Sequence, residues 1–227
     1  MSAHYKALAK RTNPDGLALF PLSGAVLLPG CDLPLNIFEP RYLNMIDDAL
    51  KGERLIGMVQ DLEDHGGLRD IGGLGRITQF SETEDGRYLV VLRGLKRFRI
   101  TRELPQDRPY RQALISFDGF ESDIDFHLPD NIPEAMRDKG RENRAALTLA
   151  MKIFAKALGV RVDWDSLSEI PLQRLVDQAA MISPFNPEDK QSLLEAETTE
   201  ERRRLLIGLM HLYCSIHPGR DTPAARQ

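Results

Sequence analysis

The spacing of apolar residues changes once along the chain, and that change limits the folds open to it. Across residues 15–118 apolar residues come in short runs broken by Gly and Pro, the pattern of strands joined by tight turns. From about residue 135 they recur every three to four positions, the pattern of helices with one buried face. Residues 119–134, with Asp123, Asp125, Pro129 and Pro133, read as a linker. The first dozen residues and the stretch after Pro218 read as frayed ends. The expectation is an α+β chain: a compact, barrel-like antiparallel sheet over 15–118, a linker over 119–134, and a helical subdomain over 135–217.

Residues 17–20 and 33–38 are strand candidates, the second with Leu33, Leu35 and Ile37 on one face. Pro21, Pro29 and Pro34 place them at edges, bulges or strand starts, because proline brings no N–H to a ladder. A helix follows. Pro40 stands at its first position, Tyr42, Met45, Ile46, Ala49 and Leu50 form its stripe, and Gly52 marks its end. Residues 55–59 read as a strand. Gly72-Gly73-Leu74-Gly75 reads as a tight turn or bulge before a strand at 76–82. Asp85-Gly86 turns the chain into a partner at 88–92. Residues 95–102 alternate Phe98 and Ile100 against Arg97 and Arg99, and 110–117 reads as the last strand. Four helices are expected beyond. The first carries Leu147, Ala150, Met151 and Phe154 and stops at Gly159; the second carries Leu172, Leu175, Val176 and Ala179. The third starts at Asn186-Pro187, and the fourth is opened by a Thr198/Glu201 capping box.

The formal charge of −4 argues against nucleic acid and membranes as partners. Cys31 and Cys214 lie far apart and read as reduced thiols. The five histidines have no metal-ligand spacing with Cys or each other, so neither metal nor cofactor is expected. The N-terminus lacks the apolar core of a signal peptide and no apolar run is long enough to span a bilayer, which gives a cytoplasmic expectation. There is no G-x-x-x-x-G-K-[ST], G-x-S-x-G or H-E-x-x-H, so no ATPase or hydrolase chemistry is expected. Gly73-Leu74-Gly75 lacks the third glycine of a dinucleotide fingerprint.

One run is more specific: Leu28-Pro29-Gly30-Cys31-Asp32-Leu33-Pro34-Leu35-Asn36-Ile37-Phe38-Glu39-Pro40-Arg41-Tyr42. It is a proline-bounded strand running straight into a proline-started helix. It resembles the N-terminal domain family of Lon proteases, with its PG, PL and IFEPRY-like elements. Further likenesses follow in the same order: Ile56-Gly57-Met58-Val59, Gly73-Leu74-Gly75-Arg76-Ile77, Asp85-Gly86-Arg87-Tyr88 and Gly94-Leu95-Lys96-Arg97-Phe98-Arg99-Ile100. Lys190-Gln191-Ser192-Leu193-Leu194-Glu195 extends the likeness into the helices. The resemblance implies a PUA-like β pseudo-barrel followed by a helical bundle. It also implies a substrate-capturing role, here without the ATPase or protease domains.

The function expected from that resemblance is non-catalytic binding of unfolded or apolar-rich polypeptides. Two alternatives stay open: an adaptor or regulator docking on a Lon-type protease, and a PUA-like protein binding RNA or a small ligand. Candidate binding residues are Phe38, Glu39, Arg41 and Tyr42, together with Arg97 and Arg99, near which Arg93 and Lys96 lie. Each has a purely structural alternative. Glu39 can cap the helix, Arg41 can pair with a carboxylate, Phe38 and Tyr42 can be core, and the arginines can form a solvated strand face. Arg202-Arg203-Arg204 reads as the polar side of an amphipathic helix.

Overall fold

A computed structural model describes residues 16–62, 66–124 and 134–217. The expected frayed ends, and residues 125–133 of the expected linker, lie outside the described residues. The chain forms two compact units, one of Met1–His127 with Met181–Glu195, the other of Leu128–Ala180 with Ala196–Gln227. The division departs from the boundaries expected above, because residues 181–195 fall with the sheet.

The first unit contains β1 (Leu17–Pro21), β2 (Asp32–Ile37), α1 (Pro40–Lys51), β3 (Leu55–Val59), β4 (Ile71–Glu82), β5 (Tyr88–Glu103) and β6 (Gln112–Ser116). The six strands form one sheet in the order β2-β5-β4-β3-β1-β6, and β6 also pairs with β5. That second pairing closes β5, β4, β3, β1 and β6 into a barrel, leaving β2 as an extension beside the first half of β5. One pairing departs from the antiparallel expectation: β1 and β3 run parallel, with Leu19 opposite Gly57. The chain passes through β2 and α1 between them, and a crossover of that length can return it in the same direction.

β5 is one continuous strand where the sequence reads as two, and Gly72, Gly73 and Gly75 lie inside β4 rather than in a turn. Both departures have one cause. Val26, Leu27, Leu28 and Cys31 are buried, and the backbone of Leu27 and Leu28 lies directly against Gly73 of β4 and Gly94 of β5. A Cβ on Gly73 would stand 2.0 Å from the Leu27 carbonyl oxygen, and one on Gly94 would stand 2.1 Å from that of Leu28. The Gly30 N–H donates to the Gly94 carbonyl, and the Gly94 N–H to the Cys31 carbonyl, both at 2.8 Å. Glycine inside a strand commonly marks such close backbone approach. The β4–β5 register also shifts between Leu74 and Gly75, so the bulge reading holds in part.

Residues 181–195 join this unit through buried polar groups on α5 (Pro187–Glu195). The Gln60 side chain accepts from the Gly24 N–H at 2.8 Å and donates to the Pro187 carbonyl at 2.8 Å and to Gln191 Oε1 at 3.0 Å. The Gln191 amide donates to the Ile71 carbonyl at 3.1 Å. Lys190 is also buried and its ammonium donates to the Met181 carbonyl. Burial pushes that ammonium down to about 8.

The second unit is helical, with α2 (Glu134–Leu158), α3 (Trp164–Ser168), α6 (Thr199–Ile216) and the bulk of α4 (Leu172–Ile182). Phe154 of α2 meets Tyr213 of α6 edge to face at 5.1 Å. The capping box forms: the Glu201 N–H donates to the Thr198 hydroxyl at 3.1 Å, and the Glu201 carboxylate accepts from the Glu197 N–H at 3.0 Å. α3 was not expected. It is one turn capped by Asp163, which accepts from the Ser166 N–H, and a single turn is too short to show helical periodicity. Arg202 and Arg203 are not on a polar face but buried. Arg202 donates to Asp177 at 2.8 Å, Arg203 pairs with Glu200 at 2.8 Å, and only Arg204 of the three is exposed. Among the described residues no helix is long and apolar enough to cross a membrane.

Two outcomes follow. Gly73→Ala forces a Cβ into backbone and should destabilise the first unit by about 3 kcal/mol. Gly208→Ala, on an open part of α6, should stabilise its helix by up to ~1 kcal/mol. Urea titration of both variants checks this, and an unchanged Gly73→Ala would remove the glycine seat. The second outcome concerns Glu200. Hydrogen bonding and charge from Arg203, with Arg204 adding to both, pull its carboxyl down to about 2 from the usual 4.5. A depressed carboxyl contributes stability above pH 4.5 that fades as pH falls toward 2. Glu200→Gln should therefore be less stable than the parent at pH 7, with the difference closing between pH 4.5 and 2 in acid unfolding followed by circular dichroism.

Candidate polypeptide-binding cleft

Strand alternation decides the fate of the run from Ile37 to Tyr42. Ile37 ends β2 pointing into the core at 2% exposure, so Phe38 points out, at 63%. Phe38 is therefore not core. Glu39 occupies the cap position of α1 in extended backbone, but its side chain makes no capping bond. Its backbone carbonyl accepts from the Tyr42 and Leu43 N–H groups, at 2.9 and 3.0 Å, as a cap residue's carbonyl does. The carboxylate turns to the Arg41 guanidinium at 2.7 Å. Tyr42 is buried, meets Phe20 edge to face at 4.5 Å, and carries Arg41 over its ring at 4.5 Å. Burial raises the Tyr42 phenol above its ordinary value, with Arg41 opposing and Glu39 and Asp61 adding to the rise.

Glu39, Arg41 and Tyr42 line a cleft of about 860 Å³ in the first unit. Pro21, Leu22 and Ser23 follow β1 into it, and Asp61, Leu62 and Gly66 follow β3. Glu103, Leu104, Tyr110 and Arg111 enter from the connection between β5 and β6. Arg111 forks onto Glu103 at 2.8 and 2.7 Å and reaches the Gly66 carbonyl at 2.8 Å. Below, the Tyr110 hydroxyl donates to Asp48 of α1 at 2.8 Å, which lowers the Asp48 carboxyl. The walls thus alternate apolar surface with fixed charges, the make-up of a site that orients a ligand as well as burying it.

The second group of candidates does not assemble. Arg97 is not on a solvated face: it is 2% exposed and bound at both ends to Asp123, at 2.9 Å each. Asp123 lies beyond β6 in the stretch read as linker, so the sequence offered no partner for Arg97. Arg93 pairs with Asp32 at 2.5 Å, and the Lys96 ammonium stands 4.9 Å over the Phe117 ring. Arg99 is exposed. Phe38, Arg97 and Arg99 do not line the cleft, whereas Asp61, Glu103 and Arg111 do and were missed. No short-range signal links these three, since their meeting depends on barrel closure.

The barrel with its glycine seat, and a mixed polar and apolar cleft beside it, define a β-barrel module with an attached helical unit. The chain belongs to the family described as the ATP-dependent protease La (LON) substrate-binding domain, whose model matches residues 16–211. The Lon protease of Parabacteroides distasonis is 33% identical over 212 residues, which cover 87% of this chain and 24% of that protein. Lon protease 2 of Myxococcus xanthus is 26% identical over 220 residues, 89% of this chain and 24% of the relative. The chain thus spans about a quarter of the length of these curated relatives. The fold matches a Lon N-terminal domain protein from Xanthomonas campestris, with TM-score 0.58 at 24% identity, covering 85% of this chain and 97% of that one. It also matches the N-terminal domain of a Mycobacterium avium complex Lon protease, with TM-score 0.61 at 18% identity, covering 86% and 98%.

Tyr42→Ala should cost about 3 kcal/mol, as loss of a buried aromatic does. Glu39→Ala removes only an exposed ion pair and should cost less than ~1 kcal/mol. Urea unfolding distinguishes them; equal stability of Tyr42→Ala and the parent would take Tyr42 out of the core.

Proposed function

We propose that the chain is a non-catalytic module that captures unfolded or apolar-rich polypeptides in the cleft between the start of α1 and the β5–β6 connection. The observation that carries this reading is the cleft itself, with a volume of about 860 Å³, in a chain of a substrate-binding family. A cleft of that size suits several side chains of an extended segment. Leu22, Leu62 and Leu104 supply surface whose burial drives association, and the paired charges fix direction. The RNA alternative has less support. The basic strip it needs is taken apart by the burial of Arg97 and the pairing of Arg93 with Asp32.

A labelled unfolded peptide and a labelled single-stranded RNA, each titrated at about 50 and 200 mM salt, test the reading. Peptide binding should survive the rise with most of its affinity, because apolar burial is not screened. RNA contacts would lose orders of magnitude, because each phosphate contact releases a counterion. Saturable, salt-sensitive RNA binding with no peptide signal would overturn the proposal. Silence for both would favour docking on a folded partner such as a Lon-type protease.

A further inference from the structure

We infer that Asp61 is the recognition group for a lysine or arginine side chain on the captured polypeptide, an inference that rests on the polypeptide-binding reading above. The argument begins with the charges lining the cleft. Glu39 is paired with Arg41 at 2.7 Å and Glu103 with Arg111 at 2.6 Å, so two of the three carboxylates among the described lining residues already have their own guanidinium. Asp61 is the third. Its Oδ1 is shielded from solvent and has no hydrogen-bond partner among the described residues.

That oxygen has given up water without receiving a donor, which costs the carboxylate part of its solvation. The fold holds it there nonetheless. Asp61 forms a bridge with Leu68, the Leu62 N–H donates to the Gly67 carbonyl at 2.9 Å, and the Arg69 N–H donates to the Gln60 carbonyl at 2.8 Å. The backbone is thus pinned on both sides. Asp61 as a whole is partly exposed and lines the cleft, so a ligand cation can approach the carboxylate from that side and supply the charge partner the described residues do not, which selects for cationic groups.

An anionic ligand fits less well. Both guanidiniums among the described lining residues are committed, and the described carboxylates outnumber them by one. A metal ion fits less well too: among the described residues no group of three or more His, Cys, Asp or Glu side chains is disposed to hold one. A long basic side chain matches better than a small amine. Leu22, Leu62 and Leu104 line the same cleft and can cover the aliphatic stem of lysine or arginine while its head reaches the carboxylate.

The test uses the full chain and three fluorescent unfolded peptides of one apolar sequence, differing at a central position: Lys, Met or Glu. Anisotropy titrations should show the Lys peptide binding about tenfold or more tighter than the Met peptide, and the Glu peptide weakest. In Asp61→Asn, which keeps the side-chain shape, the ratio of Lys-peptide to Met-peptide affinity should fall to about one. A circular dichroism spectrum and urea midpoint matching the parent report an intact fold. Equal affinity for Lys and Met peptides in the parent, or a Lys preference that survives Asp61→Asn, would overturn the inference while leaving polypeptide capture standing. Binding of none of the three would overturn both. The ranking of the three peptides on the parent decides the matter even should the variant fold poorly.

Discussion

The first unit is held together at one buried cation. The Arg97 guanidinium lies on β5, out of water, where an unmatched charge would cost several kcal/mol. Asp123 answers it with both carboxylate oxygens and accepts the Arg97 backbone N–H as well, at 2.9 Å. The Leu194 carbonyl accepts a further guanidinium N–H at 2.9 Å, and the Phe120 ring lies under the group at 4.7 Å. That carbonyl belongs to the last turn of α5, the negative end of the helix dipole. Three stretches distant in sequence therefore meet around one side chain: β5, the turn after β6, and α5. The demand of that cation fixes where the latter two must lie on the barrel.

The same logic explains why some features were legible in the sequence and others not. Features governed by neighbours along the chain were readable. Pro40 opens α1 and Gly52 follows its end, Pro187 opens α5, and Thr198 caps α6. Two strand expectations, at residues 17–20 and 55–59, differ from the observed strands by one residue at most. Features governed by distant partners were not. Gly94 reads as a break between strands unless Leu28 is known to lie across it. Arg97 and Arg202 read as surface until Asp123 and Asp177 appear beside them. Glu39 reads as a cap until its carboxylate is seen to pair with Arg41 instead. The cleft was half visible: Glu39, Arg41 and Tyr42 are consecutive with the proline that starts a helix, whereas Asp61, Glu103 and Arg111 reach it only because the barrel closes.

The segments that carried the family resemblance prove to be joints of the fold. Gly94 admits the 26–31 backbone, Arg97 gathers three stretches, and Gln191 completes the amide chain from Gly24 through Gln60 to Ile71. Gln60 and Gln191 are each nearly inaccessible, yet every polar atom of the Gln60 amide has a partner. A buried amide so matched costs little, and it imposes one geometry where apolar packing would tolerate several.

The barrel unit is discontinuous in the chain, since residues 181–195 belong to it while 128–180 do not. This has a consequence for the order of events on a ribosome. All six strands leave the tunnel before α5 is made. During that interval Arg97 has Asp123 but lacks the Leu194 carbonyl, and the Gln60 amide has neither Pro187 nor Gln191 to receive it. The nascent barrel must wait, with a buried cation incompletely matched, until α5 has in turn left the tunnel. Translation speed beyond codon 128 thus becomes a determinant of how long the unfinished barrel is open to chaperones and proteases.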